Sequence, residues 1–441
     1  MTNWKEYKVE EFAEVIGGGT PSTKNPDYFG GSIPWITPKD LTNYEKKFIK
    51  NGDRNITKEG LSNSSAKLIP KNSILLTSRA PIGYLAIAEN DVTTNQGFKS
   101  IVVNPDIADF NFVYYLIKAN IERIKGYGTG TTFAEVSATV VKNLKFSLPD
   151  LPTQTAIAEI LSSLDDKIEL NNKINQELEN LAQTLFKHWF IDFEFPNEKG
   201  EPYKSSGGEL VDSELGEIPK GWEVGTLKEE FNLNMGQSPK GDTYNDIGEG
   251  MIFFQGRSDF GFRFPSVRKY TSDPKKVAKK FETLISVRAP VGDINMAETE
   301  CCIGRGLGSI SHPKSFFSYT YYKMLSIQDE LKSYDNEGTV FGSINKETLG
   351  NIKSIIPPLR IAEEYNNLIV DKDSLVYNLS SENQELTNLR DTLLPKLISG
   401  ELEVNGLNLD SLDLLDEKDF KKKADNNQGN QDNLNNQGSD K

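Results

Sequence analysis

Short apolar runs closed by proline and glycine alternate, twice along the chain, with long stretches in which leucine or isoleucine returns every three or four residues. The run SILLTS (Ser73 to Ser78) leads through Pro81 and Gly83 into YLAIAE, which predicts a buried strand, a turn and a second strand. LISV before Arg288, followed by Pro290 and Gly292, predicts the same arrangement. Phe110 to Lys125 and Ser315 to Lys332 carry helical patterns, so each region mixes α and β. Between 155 and 190 the positions Leu164, Ile168, Ile174, Leu178, Leu181 and Leu185 form a helix stripe. Leu375, Leu379, Leu386, Leu389, Leu393 and Leu397 form another, interrupted by Glu382. Both stripes suit a coiled-coil seam, and a run of ~35 residues is ~50 Å long at ~1.5 Å per residue. Equal stripes can bury one another, so the two helices are expected to pair; packing each on its own domain is the alternative.

The two regions are copies. Residues 78–101 and 287–310 align without a gap at an offset of 209 and share nine identities. The echo extends outwards. Trp4 answers Trp222, GGGTPST from Gly17 answers MGQSPK from Met235, and GTTFAEV from Gly130 answers GTVFGSI from Gly338. NQEL at Asn175 recurs at Asn383. A period this long lies far outside small solenoid units and indicates a duplicated domain. The predicted divisions are domains at 1–150 and 220–358, helical segments at 151–192 and 359–400, and a Pro/Gly/Ser-rich connector at 193–219. Residues 401–441 form an acidic, Asn/Gln-rich tail that cannot bury a core.

The net charge of −14 is unevenly placed. Residues 1–150 hold 18 basic and 16 acidic side chains, a net of +2, and residues 220–358 hold 18 and 17, a net of +1. The acid lies in 151–219, with 5 basic against 14 acidic, and in 359–441, with 9 against 17. A local basic surface on either domain is therefore compatible with the total. The polar N-terminus shows no secretory signal, and no apolar run approaches the ~20 residues of a membrane span, which leads us to expect a cytoplasmic protein. Cys301 and Cys302 are adjacent, and His188 and His312 lie far apart, so neither a disulfide framework, a zinc site nor a histidine-based triad is expected.

Three segments come near to catalytic signatures. Asn25-Pro26-Asp27-Tyr28 approaches the Asn-Pro-Pro-aromatic loop of amino-methyltransferases, but Asp27 replaces a proline and no glycine-rich turn for a methyl donor accompanies it. Asp150, Asp165 and Lys167 have the order of a metal-dependent nuclease, yet Asp165 lies within the helical stripe, and a solvated helix face is the expected reading. GYGTGTTF from Gly126 lacks the Lys-Ser/Thr ending of a phosphate loop. No constellation for bond chemistry emerges.

With NKINQELENLAQTLFKHWFIDFEFP, GELVDSELGEIPKGWEV and NLRDTLLPKLISGELEV in this order, the chain resembles the specificity subunit of type I restriction-modification systems over about residues 1–403. The resemblance implies an α+β fold: two homologous mixed α/β target-recognition domains separated by two long helices forming an antiparallel coiled coil. It implies that each domain reads one half of a bipartite, asymmetric site in double-stranded DNA. The helices would act as spacer and as platform for two modification (methyltransferase) subunits. Restriction subunits acting as translocase and endonuclease would join them. S-adenosylmethionine, ATP and Mg2+ are expected on those partners and no cofactor in this chain, which would be non-catalytic. Half-sites about one helical turn (~34 Å) apart fall within the reach of a ~50 Å rod. A scaffold that binds proteins rather than DNA through the same duplicated loops is the alternative; salt-dependent duplex binding separates the two.

The repeat supplies a sorting rule for DNA contacts. Positions kept in both copies hold the scaffold or touch phosphate, and changed positions read base edges. Among kept residues, Arg79 and Arg288 are placed either on phosphate or in a pair with the kept glutamates Glu89 and Glu298; Thr131 and Thr339 are further candidates. Among changed positions, Asn95, Gln96 and Lys99 stand against the loop of Arg305. Thr37 and Lys39 stand against Gln255, Arg257 and Ser258, and Thr20, Ser22, Thr23 and Lys24 against Gln237, Ser238 and Lys240. Asn or Gln suits adenine and Arg suits guanine through paired hydrogen bonds.

Overall fold

A computed structural model of the chain describes residues 4–129, 134–288, 290–334 and 342–404. It divides into two compact units, residues 1–171 with 382–441, and residues 172–381. In the first unit a sheet runs in the order Ala13–Gly17, Phe98–Val103, Ile74–Ser78, Ile82–Ala88, Phe48–Ile49. The second unit repeats its first four strands as Asn232–Met235, Leu307–Ser311, Thr283–Ser286 and Ile294–Met296, all antiparallel. Even the register is kept. Leu75 faces Ser100 and Thr77 faces Phe98, while Leu284 faces Ser309 and Ser286 faces Leu307. A parallel pairing beside this sheet also recurs, Trp35 with Thr93 and Phe253 with Cys302. Lys5–Lys8 pairs with Lys145–Leu148 just as Glu223–Thr226 pairs with Lys353–Ile356.

The continuous apolar run ILL has a simple cause: its strand is covered on both faces. Ile74 and Leu76 enter a core with Ile87, Ile101 and Phe112, and Leu75 enters a second core with Ile36, Ile49 and Phe98. Successive side chains of a strand point to opposite faces, so burial on both removes the alternation.

Two long helices span Leu151–Phe190 and Leu359–Ser399. In the first unit the early half of the first helix packs antiparallel on the late half of the second, with Ile157, Leu161 and Leu164 sharing a core with Leu393 and Leu397. In the second unit Tyr365 donates to the Ala182 carbonyl at 2.8 Å, again antiparallel. The expected leucine seam needs correction. Leu181 and Leu375 are exposed at 44% and 43%, whereas Asn171 and Asn175 are buried at 0% and 2%. Asn171 Nδ2 donates to Glu382 at 2.7 Å and to Asn383 at 3.0 Å, and Asn175 Nδ2 reaches Ser380 at 3.4 Å. Each helix must cover a domain as well as the other helix, so the stripe is buried at Leu164, Leu393 and Leu397 but turns outward at Leu181 and Leu375. Buried asparagines of this kind fix register between helices at some cost in stability. Asp165 does not lie on a solvated face either: it accepts from Arg390 at 2.7 Å and from Tyr115 at 2.6 Å.

The connector is ordered. Leu210–Ser213 pairs with Gly216–Pro219 as a hairpin, and Phe195 stacks on Tyr203 at 4.6 Å and packs on Trp222 at 5.0 Å. Among the described residues no helix is long and apolar enough to cross a membrane.

Candidate nucleic-acid interface

At one edge of each sheet the chain gathers three loops. In the first unit they are 18–24, 37–41 and 95–97. The Gly19 N–H donates to the Thr94 carbonyl at 2.9 Å, and the Asn95 N–H donates to the Ile36 carbonyl at 2.9 Å. In the second unit the Gln237 N–H donates to the Ile303 carbonyl at 3.0 Å and the Gly304 N–H to the Phe254 carbonyl at 2.8 Å. These are the same bonds between repeat-equivalent residues. Glycine is needed where the loops cross: a Cβ at Gly18 would lie 2.0 Å from the Asn95 carbonyl oxygen, and one at Gly236 would lie 2.2 Å from that of Gly304.

The duplicated Arg-Ala-Pro motif starts at the same edge. The Ser78 N–H donates to the Gly97 carbonyl at 2.7 Å and the Val287 N–H to Gly306 at 2.9 Å. The carbonyls of Ser78 and Val287 accept in turn from Val136 at 2.9 Å and Ile344 at 3.0 Å. Beyond the motif, Gly83 and Gly292 hold φ of 106° and 93°, values that explain why both copies keep glycine there.

Within this frame the changed positions meet side by side. The Thr20 hydroxyl donates to the Gln96 side-chain oxygen, and at the equivalent place the Arg305 N–H donates to the Ser238 hydroxyl at 3.2 Å. Gln96, Arg305, Lys39, Gln255, Arg257, Ser258, Gln237 and Lys240 are exposed, as are Ser22, Thr23 and Lys24 where the first loop turns away. Thr20, Asn95 and Ser238 are half-buried. Asn95 turns its side-chain oxygen back onto the Gly97 N–H at 2.8 Å, which shapes the loop. Arg288 is exposed. Thr131 and Thr339 lie outside the described residues.

Lys99 departs from the sequence expectation. It is 8% exposed, and its ammonium donates to Ser78 at 3.1 Å and to Glu135 at 3.0 Å. The strand register turns it inwards, so it braces the edge instead of facing outwards. Arg79 pairs with Glu135 at 3.6 Å, not with the kept Glu89.

Sequence reasoning passed over the aspartates that build the middle loop. Asp40 accepts from the Thr37 N–H and hydroxyl, each at 2.7 Å, and from the Asp53 N–H at 2.8 Å. Asp259 accepts from the Gln255 N–H at 3.0 Å and from Arg268 at 2.6 Å. The signal was present, since TPKD and QGRSD both end in aspartate. Asp293, 2.9 Å from Arg257, left no such trace.

The near-catalytic segments have structural roles. Asn25 caps a short turn through the Asp27 N–H at 3.1 Å, and Asp150 accepts from the Thr153 N–H at the start of the first long helix at 3.1 Å. Burial pushes the Cys301 thiol up to about 12, which keeps it protonated and unreactive near neutrality. Among the described residues no group of three or more His, Cys, Asp or Glu is placed to hold a metal ion.

Residues 1–180 and 219–388 match the type I restriction modification DNA specificity domain. The chain is 35% identical to the type I restriction enzyme MjaIX specificity subunit of Methanocaldococcus jannaschii, over 92% of this chain and 95% of that one. It is 26% identical to the HindI specificity subunit of Haemophilus influenzae, over 91% of this chain and 100% of that one. A crystal structure of a type I restriction-modification S subunit from M. genitalium shares the fold, with a TM-score of 0.57 at 19% identity over 90% of this chain and 96% of that one. Two copies of one loop-edged domain, each matched by this pattern and each carrying different side chains at equivalent points, place the chain in the type I restriction-modification specificity subunit family.

Proposed function

We propose that the three-loop edge of each unit reads one half of a bipartite, asymmetric duplex DNA site, and that the chain brings modification and restriction subunits to that site without catalysing a reaction itself. The observation that carries this reading is the substitution pattern on a constant frame. The backbone bonds that join the loops agree between the two edges, yet Gln96 stands where Arg305 stands, and Thr37 where Gln255 stands. A shared backbone with altered hydrogen-bonding side chains is what reading two different base sequences in one pose requires. S-adenosylmethionine, ATP and Mg2+ belong, on this reading, to the partner subunits. Leu181, Leu368 and Leu375, exposed on the long helices, support a docking role for those helices.

The test is binding of the chain, assembled with its modification subunits, to duplexes carrying single base-pair changes. Arg305→Ala should reduce discrimination at one base pair by about 1–3 kcal/mol, and affinity should fall steeply with salt. Equal weakening on every sequence would assign Arg305 to phosphate instead, and binding indifferent to salt would favour a protein-binding scaffold.

A further inference from the structure

Arg263 lies in a stretch of the second recognition domain that ends beside the candidate base-reading residues Arg257 and Ser258, but its side chain points the other way. It is 2% exposed and heads the largest fully buried side chains. Its guanidinium pairs with Glu179 on the first long helix and, at 3.2 Å, with Asp373 on the second. It also donates to the Tyr322 hydroxyl at 2.5 Å and lies 4.0 Å from the centre of the Tyr321 ring. One side chain of the recognition domain thus joins both long helices.

The stretch that carries Arg263 is closed on itself. The Ser266 N–H donates to the Asp259 carbonyl at 2.7 Å, the Gly261 N–H to the Phe264 carbonyl at 3.1 Å, and Arg268 clamps Asp259. The Met296 N–H donates to the Arg263 carbonyl at 2.9 Å. Displacing Arg263 therefore displaces the turn that presents Arg257 and Ser258. Burying three charges contributes little net stability, because desolvation offsets their attraction. Arg263 Nε and Asp373 Oδ2 are moreover left without hydrogen-bond partners. In the first unit the cation beside the equivalent aspartate, Asp165, is Arg390 of the second long helix itself, at 2.7 Å.

We propose that Arg263 is a positioning residue for base reading by the second unit, holding the 256–268 turn in register with the paired long helices. This rests on the DNA-reading role above. The test compares wild type, Arg263→Lys and the apolar set Arg263→Met, Glu179→Leu, Asp373→Leu, each assembled with its modification subunits. Binding is measured on duplexes with single base-pair changes, the second unit's half-site being the one altered by Arg305→Ala. The apolar set should remain folded and lose about tenfold in discrimination at one or two base pairs of that half-site, within the range that single mismatches cost, with the other half-site unchanged. Wild-type discrimination in the folded set, or equal loss in both half-sites, overturns the proposal. If the set does not fold, Arg263→Lys decides by the same ratio, since lysine keeps the charge and loses the planar fork. A wild-type complex with no base discrimination would instead overturn the DNA-reading role.

Discussion

Tyr115 donates its hydroxyl to Asp165 at 2.6 Å. The second copy repeats the bond between Tyr322 and Asp373 at 3.1 Å, so in each unit the second tyrosine of a Tyr-Tyr pair ties the recognition domain to a long helix. Asp165 also holds Arg390 at 2.7 Å and lies 3.8 Å from Lys118. Replacing a carboxylate that serves three partners takes the acceptor from the Tyr115 hydroxyl and leaves the mostly buried Arg390 guanidinium with the exposed Asp391, at 2.8 Å. Asp165→Ala should therefore cost roughly 1.5–3 kcal/mol, the range of hydrogen bonds to charged groups, read as a lower denaturation midpoint of the full chain. A loss under about 1 kcal/mol, the range of exposed pairs, would show that water replaces the carboxylate.

The repeat also contains a natural substitution experiment. In the second unit Glu230 accepts from Tyr319 at 2.5 Å, with Lys323 buried close enough to act on its charge. The corresponding residues of the first unit are Phe12, Phe112 and Leu116, all buried. Burial pushes the Glu230 carboxyl above its ordinary range. Its folded value thus lies above its unfolded value, so the stability it contributes is present below about pH 4.3 and is lost as pH rises through the raised folded value. Exchanging the trio for Phe, Phe and Leu should be neutral or stabilising at pH 7. Its advantage over wild type should grow from pH 4 to pH 7 in denaturation measured at each pH. An advantage that shrinks over that window would contradict the assignment to Glu230.

Much of this architecture was legible in the sequence because duplication made it so. The gapless offset of 209 across Arg79 and Arg288 carried strand order and register with it, and the kept Gly83 and Gly292 marked left-handed turns. What stayed hidden depended on orientation. Counting leucines rightly put Leu164, Leu393 and Leu397 in the seam but added Leu181 and Leu375, because nothing in a helical spacing says that Asn171 and Asn175 find polar partners inside. Lys99 read as a changed loop residue opposite Gly308, yet Phe98 and Lys99, the end of that loop, already begin the strand Phe98–Val103 and belong to the sheet. Arg263 lies in a stretch with no clear counterpart in the first copy, where comparison of the two copies has no power.

Glu135 gives a prediction about phosphate. Two cations, Arg79 and Lys99, converge on it, and the second unit has Ser343 and Gly308 at the equivalent positions. The double variant Glu135→Ser with Lys99→Gly reproduces the second unit's arrangement and leaves Arg79 without its acid. Affinity for duplexes of any sequence should rise, and the slope of log K against log salt should steepen by about 1. An unchanged slope would mean that Arg79 does not reach the DNA backbone.

On the proposed reading, the bond between Thr20 and Gln96 bears on which base Gln96 would meet. The glutamine–adenine pair uses both ends of the amide, the oxygen accepting from N6 and the nitrogen donating to N7. Here one lone pair of the oxygen is taken by the Thr20 hydroxyl, which restricts how the amide can turn its oxygen to adenine N6 and favours its nitrogen donating to acceptor edges such as guanine N7 and O6. Thr20→Val keeps the shape of the loop and removes the hydroxyl. Binding of the assembled complex to the four duplexes differing at the base pair read by Gln96 should then shift towards adenine by about 1 kcal/mol or more, within the ~1–3 kcal/mol of a good paired contact. Gln96→Ala identifies that base pair beforehand as the one where discrimination is lost. If Thr20→Val leaves the ranking of the four bases unchanged, Gln96 meets DNA without the constraint that Thr20 imposes in the free protein.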